Sequence, residues 1–171
     1  DIFTLDMLPE DNARQKILMS PDNYNKFDLN IRSGFHKQYM RNMLQKNNGD
    51  GSFSEIGQLA GISNTDWSWA PLLGDFNNDG WSDLFISNSY VRDYTNRDFL
   101  AYMDNYIQTN SKINRQDVLG LIGQMPASDV SNYLFKNKSN GVFEDITQDA
   151  GLFIPSNSNG ASLADLDNDG D

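Results

Sequence analysis

The chain has 171 residues and no cysteine, and its 24 acidic against 13 basic residues give a formal net charge of −11. That length supports the core of one ordinary domain, and the lack of cysteine excludes a disulfide framework and a thiolate zinc site. The charge argues against a nucleic-acid partner, because phosphates release their counterions only where Lys and Arg neutralise them. No basic stripe with interleaved aromatics is present. No signal peptide, lipidation signal or apolar run of about 18 residues is visible either.

Asp1-Ile-Phe-Thr-Leu-Asp6 reads as a strand, patterned like Asp83-Leu-Phe-Ile-Ser-Asn88 further on. An excursion from about Met7 to Phe35 opens with Pro9-Glu-Asp-Asn and predicts a helix through Leu18, with an irregular remainder. His36, the sole histidine, has no Ser or Cys partner motif and reads as a surface or packing residue. Two strands, Tyr39 to Lys46 and Gly51 to Ile56, flank Asn47-Asn-Gly-Asp50. That tetrapeptide is a strong hairpin turn because Asn, Gly and Asp tolerate positive φ. Leu59-Ala-Gly61 turns the chain again.

Trp67 to Phe76 reads as a strand entering a loop, and Asp83 to Asn88 as the strand leaving it. Leu84, Phe85 and Ile86 form a nearly continuous apolar run, which suits a strand covered on both faces. Trp67 and Trp69 lie two apart and would share one strand face, as a sugar-stacking platform or as packing between sheets. From residue 89 to residue 130 the period changes. Thr95-Asn-Arg-Asp98 resembles a capping box. Phe99, Tyr102, Met103, Tyr106 and Ile107 then recur at helical spacing and predict a helix from Asp98 to Thr109. A second helix, Arg115 to Gln124, carries Val118, Leu119, Ile122 and Met125 on one side before Pro126 stops it. Both stripes read as packing surfaces rather than ligand sites.

The loop between the two strands carries the chemistry. Asp75-Phe-Asn77-Asn-Asp79-Gly80-Trp81-Ser-Asp83 places oxygen donors at positions one, three, five and nine, with glycine at six for a sharp turn. Hard cations such as Ca²⁺ take oxygens from carboxylates, amides, backbone carbonyls and water, and alternate residues of a tight loop offer them to one centre. Asp75, Asn77, Asp79 and Asp83 would supply side chains and Trp81 its carbonyl. An EF-hand would need Glu at position twelve, where Ile86 stands, so the loop joins two strands. The pattern returns at Asp165-Leu-Asp167-Asn-Asp169-Gly170-Asp171, 90 residues after Asp75. The same offset superposes Leu44, Lys46, Asn47, Gly51, Phe53, Ile56, Gln58, Ala60, Gly61, Ser68 and Leu73 on Leu134, Lys136, Asn137, Gly141, Phe143, Ile146, Gln148, Ala150, Gly151, Ser158 and Leu163. This is an internal repeat. Asp1 then reads as the ninth-position ligand of an earlier loop, and the whole chain as a fragment of a longer protein. Short strands with turns at this spacing suit a sandwich, a solenoid or a propeller.

Asn47-Asn-Gly-Asp-Gly-Ser-Phe53 followed by Asp75-Phe-Asn-Asn-Asp-Gly-Trp-Ser-Asp83-Leu-Phe-Ile resembles the FG-GAP/VCBS repeats of integrin α-subunit propellers and bacterial surface proteins. Asn137-Lys-Ser-Asn-Gly-Val-Phe143 with Asp165 to Gly170 matches the next repeat, although it lacks the Asp of Asn47-Asn-Gly-Asp-Gly, a departure that bears on the shape of that turn. The closest likeness is to large bacterial VCBS-repeat proteins that end in an ASPIC/UnbV domain. It includes Asp6-Met-Leu-Pro-Glu-Asp-Asn12 and Thr65-Asp-Trp-Ser-Trp-Ala-Pro71.

The resemblance implies a mainly β fold, a fragment of a seven-bladed β-propeller with helical insertions between blades. Residues 1–88 would hold the end of one blade, an excursion and a full repeat with its calcium loop. Residues 89–130 would be a helical insertion, and 131–171 the start of the next repeat. The implied cofactor is Ca²⁺, held by Asp75, Asn77, Asp79, Trp81 and Asp83, by Asp165, Asp167, Asp169 and Asp171, and by Asp1. The expected function is a calcium-binding module, not an enzyme, in a secreted or cell-surface protein. It would act as a binding or scaffold domain at the outer membrane of a Gram-negative bacterium, or in its periplasm. Its expected partners are the remainder of the same propeller and a protein or glycan at the cell surface, such as a nutrient-uptake complex. The alternative is a carbohydrate-active enzyme or calcium-dependent glycan-binding domain, for which Glu55, Glu144, Asp145 and Asp149 are the acidic candidates.

Overall fold

The computed structural model describes residues 1–20, 23–110 and 112–165. They form two compact units, one from Asp1–Glu10, Met40–Tyr90 and the described residues from Asp129, the other from Asp11–Tyr39 and Val91–Ser128.

The first unit holds two antiparallel sheets. Strands β1 (Ile2–Thr4), β2 (Met43–Asn47) and β3 (Phe53–Glu55) form one, in that order. The other is four-stranded and runs β4 (Ser68–Gly74), β5 (Asp83–Asn88), β6 (Tyr133–Asn137), β7 (Phe143–Asp145). Strands β1, β2 and β3 pair in the same register as β5, β6 and β7. Phe3 pairs with Leu44 where Phe85 pairs with Leu134. Asn47 pairs with Phe53 where Asn137 pairs with Phe143. The sheets cut across the sequence period, since β2 and β3 belong to one sheet and β4 and β5 to the next. Helical insertions were expected between blades; instead, each excursion joins neighbouring strands of one sheet, β1 to β2 and β5 to β6. The reason is pairing: β5 finds its second neighbour beyond residues 89–130, where the next apolar strand of the right register begins.

The turns explain why the register recurs. Ile56 and Ile146 donate their amides to the carbonyls of Leu44 and Leu134, both at 2.9 Å, and each sets off a tight turn closed by a glycine at positive φ, Gly61 or Gly151. The hairpin lacking the expected Asp keeps its shape. Asn140 Oδ1 accepts the Val142 amide at 3.1 Å as Asp50 Oδ1 accepts that of Ser52 at 2.9 Å, and Ser139 takes φ +61° where Gly49 takes +80°.

Leu44, Ala60, Ile62, Leu84, Ile86 and Phe135 form the core, drawn from both sheets. Strand β5 is buried along nearly its whole length, as its apolar run predicts. Phe143 donates its amide to the Ala60 carbonyl at 2.9 Å and ties one sheet to the turn of the other. A buried polar layer borders this core. Asn42 accepts the Asp6 amide at 2.8 Å and donates to Ile62 O at 3.1 Å and Thr65 Oγ1 at 2.5 Å. Asn132 accepts the Asn88 amide at 2.9 Å in the same way.

The second unit is helical: α1 (Asn12–Leu18), α2 (Tyr24–Arg32), α3 (Arg97–Thr109) and α4 (Arg115–Gln124). Three of these follow the predicted spans. Helix α2 falls where the sequence reads as irregular, because Asn, Asp and Tyr give it weak propensity and it buries no residue. Asn23 caps it, Asp28 and Arg32 pair across one turn at 2.7 Å, and Gly34 at φ +86° ends it. Helix α3 is capped by Asn96, one residue after the expected Thr95, through its side chain on the Phe99 amide. Helix α4 has a full capping box of Asn114 and Asp117. Its expected apolar stripe is exposed at Val118, Leu119 and Ile122, and Leu121 is the residue it buries. Arg14 binds both Asp93 oxygens at 2.7 and 3.0 Å and Ser128 Oγ at 2.9 Å, joining α1 to the segments on either side of α3 and α4.

Candidate metal site

Loop 75–82 joins β4 to β5, whose last pair is Gly74 with Asp83. Asp75 folds the loop around its own carboxylate, with Oδ1 accepting the Asp79 amide at 3.1 Å and Oδ2 the Gly80 amide at 2.7 Å. Asn78 and Gly80 take positive φ, +57° and +86°, which turns those amides inward. Asp79 Oδ1 accepts the Trp81 amide at 3.1 Å. Its Oδ2 lies 3.3 Å from the Lys136 ammonium on β6. Partial burial works against the charge of Asp79, but the Trp81 amide and Lys136 outweigh it and hold this carboxyl below the usual value.

Asp83 is the buried member, 1% exposed. Its Oδ2 accepts from the Asn77 amide group at 2.9 Å and its Oδ1 from the Asn137 backbone amide at 2.9 Å. Asp1 holds the equivalent place in the other sheet, where its Oδ1 accepts the Asn47 amide at 2.7 Å. Asp165 is exposed. Asp167, Asp169 and Asp171 lie outside the described residues.

The donor set is all oxygen and fits a hard cation in kind. Its arrangement is that of a loop closed on its own hydrogen bonds. Among the described residues no three of His, Cys, Asp and Glu stand together closely enough to hold a metal ion. For Asp79 and Asn77 to serve as ligands, Asp79 must release Lys136, and Asn77 must present its carbonyl oxygen in place of its amide nitrogen.

Three of the four acidic residues weighed for catalysis have other partners. Glu55 Oε1 accepts the Gly57 amide at 2.8 Å and Asp145 Oδ1 the Thr147 amide at 2.9 Å, the same turn-capping role in both sheets. Glu144 is paired with Lys138 at 2.7 Å, which keeps its pKa below the usual value, and Asp149 and His36 are exposed. Trp67 and Trp69 do not share a platform. A bulge falls between Ser68 and Ala70; Trp67 stacks on Tyr90 at 4.0 Å between ring centroids, and Trp69 donates its indole N–H to Ser89 O at 2.7 Å. Sequence reasoning missed buried Asn42 and half-buried Asn132, the amides that fix the start of β2 and β6. Their signal is their separation by the same 90-residue offset as the other repeat positions.

Residues 27–86, about a third of the chain, match the model of an FG-GAP-like repeat. The match spans most of α2, all of β2, β3, β4 and the 75–82 loop, and most of β5. The narrower likeness to VCBS-repeat proteins with an ASPIC/UnbV domain gains no support from it. Neither curated proteins nor solved structures give a match. Among the described residues no helix is long and apolar enough to cross a membrane.

Proposed function

We propose that this chain belongs to a calcium-binding β-propeller-type module that serves as a binding or scaffold domain and not as an enzyme. The observation that carries the reading is the 75–82 loop. It presents the donors of a hard-cation site, inside an FG-GAP-like repeat, at a position whose ninth residue recurs as Asp1 with the same hydrogen bond to a neighbouring hairpin. Bound calcium would link the ends of β4 and β5 as a structural cross-link. Three of the four acidic candidates for catalysis, Glu55, Asp145 and Glu144, cap turns or pair with lysine, which favours the scaffold over the carbohydrate-active alternative.

A secreted or outer-membrane location in a Gram-negative bacterium accords with this reading. Extracellular calcium modules bind at about 10⁻⁴ to 10⁻³ M and would stay empty in a cytosol. Attachment to a protein or glycan partner, including a nutrient-uptake complex, rests on likeness to repeat proteins of this kind.

Calorimetric titration with calcium tests the site. Asp75→Ala combined with Asp79→Ala should abolish binding and lose the linked stabilisation, about 2.7 kcal/mol at a hundredfold excess of calcium over Kd. In EDTA the double variant should melt moderately below the unsubstituted protein, because Asp75 and Asp79 also accept the Asp79, Gly80 and Trp81 amides, and the calcium-linked loss is the additional gap that opens when calcium is added. No calcium binding by the unsubstituted protein at millimolar concentration would overturn the reading.

A further inference from the structure

Lys136 is the one basic group paired with the loop among the described residues, its Nζ 3.3 Å from Asp79 Oδ2. Its position is fixed by strand pairing. Leu84 faces Phe135, so the next residue of β6 stands beside Asp83, and the one after it, Asn137, donates its amide to Asp83 Oδ1. The backbone that holds the ninth loop residue thus also delivers the ammonium to the fifth. Lys46 takes the same register place beside Asp1 in the other sheet, one step beyond the Ile2 and Gln45 pair. Glu144 faces Lys136 across β7 but is bonded to Lys138.

We propose that Lys136 is a tethered counter-cation of the loop: its ammonium neutralises part of the carboxylate charge while calcium is absent and lowers the loop's affinity for calcium. This rests on the calcium reading above. The physical reason is competition for one oxygen. Asp79 Oδ2 serves either the ammonium or the metal, and a positive charge kept nearby after release still opposes a divalent ion. Lys136 and Asp79 are 37% and 32% exposed, so the effect is moderated by solvent and shrinks with added salt.

The test is a calcium titration of the full chain and of three variants at low ionic strength. Lys136→Met, which keeps the length of the side chain, should lower Kd about three- to fivefold, with the gain fading at high salt. Lys136→Arg retains the charge and should titrate like the unsubstituted protein. Lys138→Met removes an equal charge outside the loop and should leave Kd unchanged. In EDTA, Lys136→Met should melt below the unsubstituted protein, a readout independent of calcium. An unchanged or higher Kd in Lys136→Met, or an equal gain in Lys138→Met, would overturn the proposal while leaving the calcium site standing. Absence of calcium binding by the unsubstituted protein would overturn both.

Discussion

The Tyr133 hydroxyl donates to Glu10 Oε2 at 3.2 Å inside the first unit. Burial, and next the neighbouring Glu10 carboxylate, push its ionisation well above the ordinary tyrosine range. Unfolding releases the phenol to ionise near pH ~10, while the folded protein still holds it neutral. The unfolded state therefore loses its proton first as pH rises. The stability contributed by Tyr133 is complete below that value and declines above it. Tyr133→Phe should cost about 1 kcal/mol at pH 8 through the lost hydrogen bond. Its unfolding free energy should then fall less steeply between pH 10 and 12, by up to ~1.4 kcal/mol per pH unit. Urea melts across that range check the prediction, and parallel slopes for the two proteins would contradict it.

Turns after β3 and β7 solve one problem with two residue pairs. In the first, Glu55 reaches the amide of Gly57; in the second, Asp145 reaches that of Thr147, whose hydroxyl accepts the Leu134 amide at 2.9 Å. A side chain at Gly57 would meet Glu55 Oε1 at 2.8 Å and the Asn42 carbonyl at 3.0 Å, so the longer acid and the glycine belong together. Gly57→Thr alone should destabilise by about 2 kcal/mol through overpacking. Adding Glu55→Asp, which recreates the other turn, should recover at least ~1 kcal/mol, a coupling visible in a double-mutant cycle. Additive effects would show that the two turns are not interchangeable.

Each unit of the whole molecule is assembled from separated stretches of chain. The helical unit joins Asp11–Tyr39 to Val91–Ser128. One contact that binds them is ionic: Asp93 is 5% exposed at its side chain and is held by Arg14. Arg14→Leu would leave that carboxylate buried and unpaired, at a cost of about 3 kcal/mol. Hydrogen exchange should then accelerate in α1, α3 and α4 while β5 and β6 keep their protection. Uniform loss of protection in both units would indicate that they unfold together.

Turns, caps and the spacing of oxygen donors from Asp75 to Asp83 were readable in the sequence because each is set by residues within a few positions of one another. Asn-Gly hairpins accept positive φ, Thr95 to Asp98 marks the start of α3 to within one residue of its Asn96 cap, and Asp75 to Asp83 space their oxygens along a single loop. The offset of 90 residues likewise carried the register, because equal turns after β2 and β6, and after β3 and β7, impose equal pairings. The caps of α2 were local too, and Tyr24, Phe27 and Ile31 stand at helical spacing, but its weak propensity and exposed surface masked them. Only the tertiary structure decided which strands share a sheet. β5 pairs with β6 across a helical excursion, so the sheets fall out of phase with the sequence period, and no local pattern encodes a partner more than 40 residues away. It also decided what the acids do. Asp83, Asp145 and Asp79 look alike in sequence, yet one is buried between two amide donors, one caps a turn and one meets Lys136, because long-range pairing brings different neighbours to each.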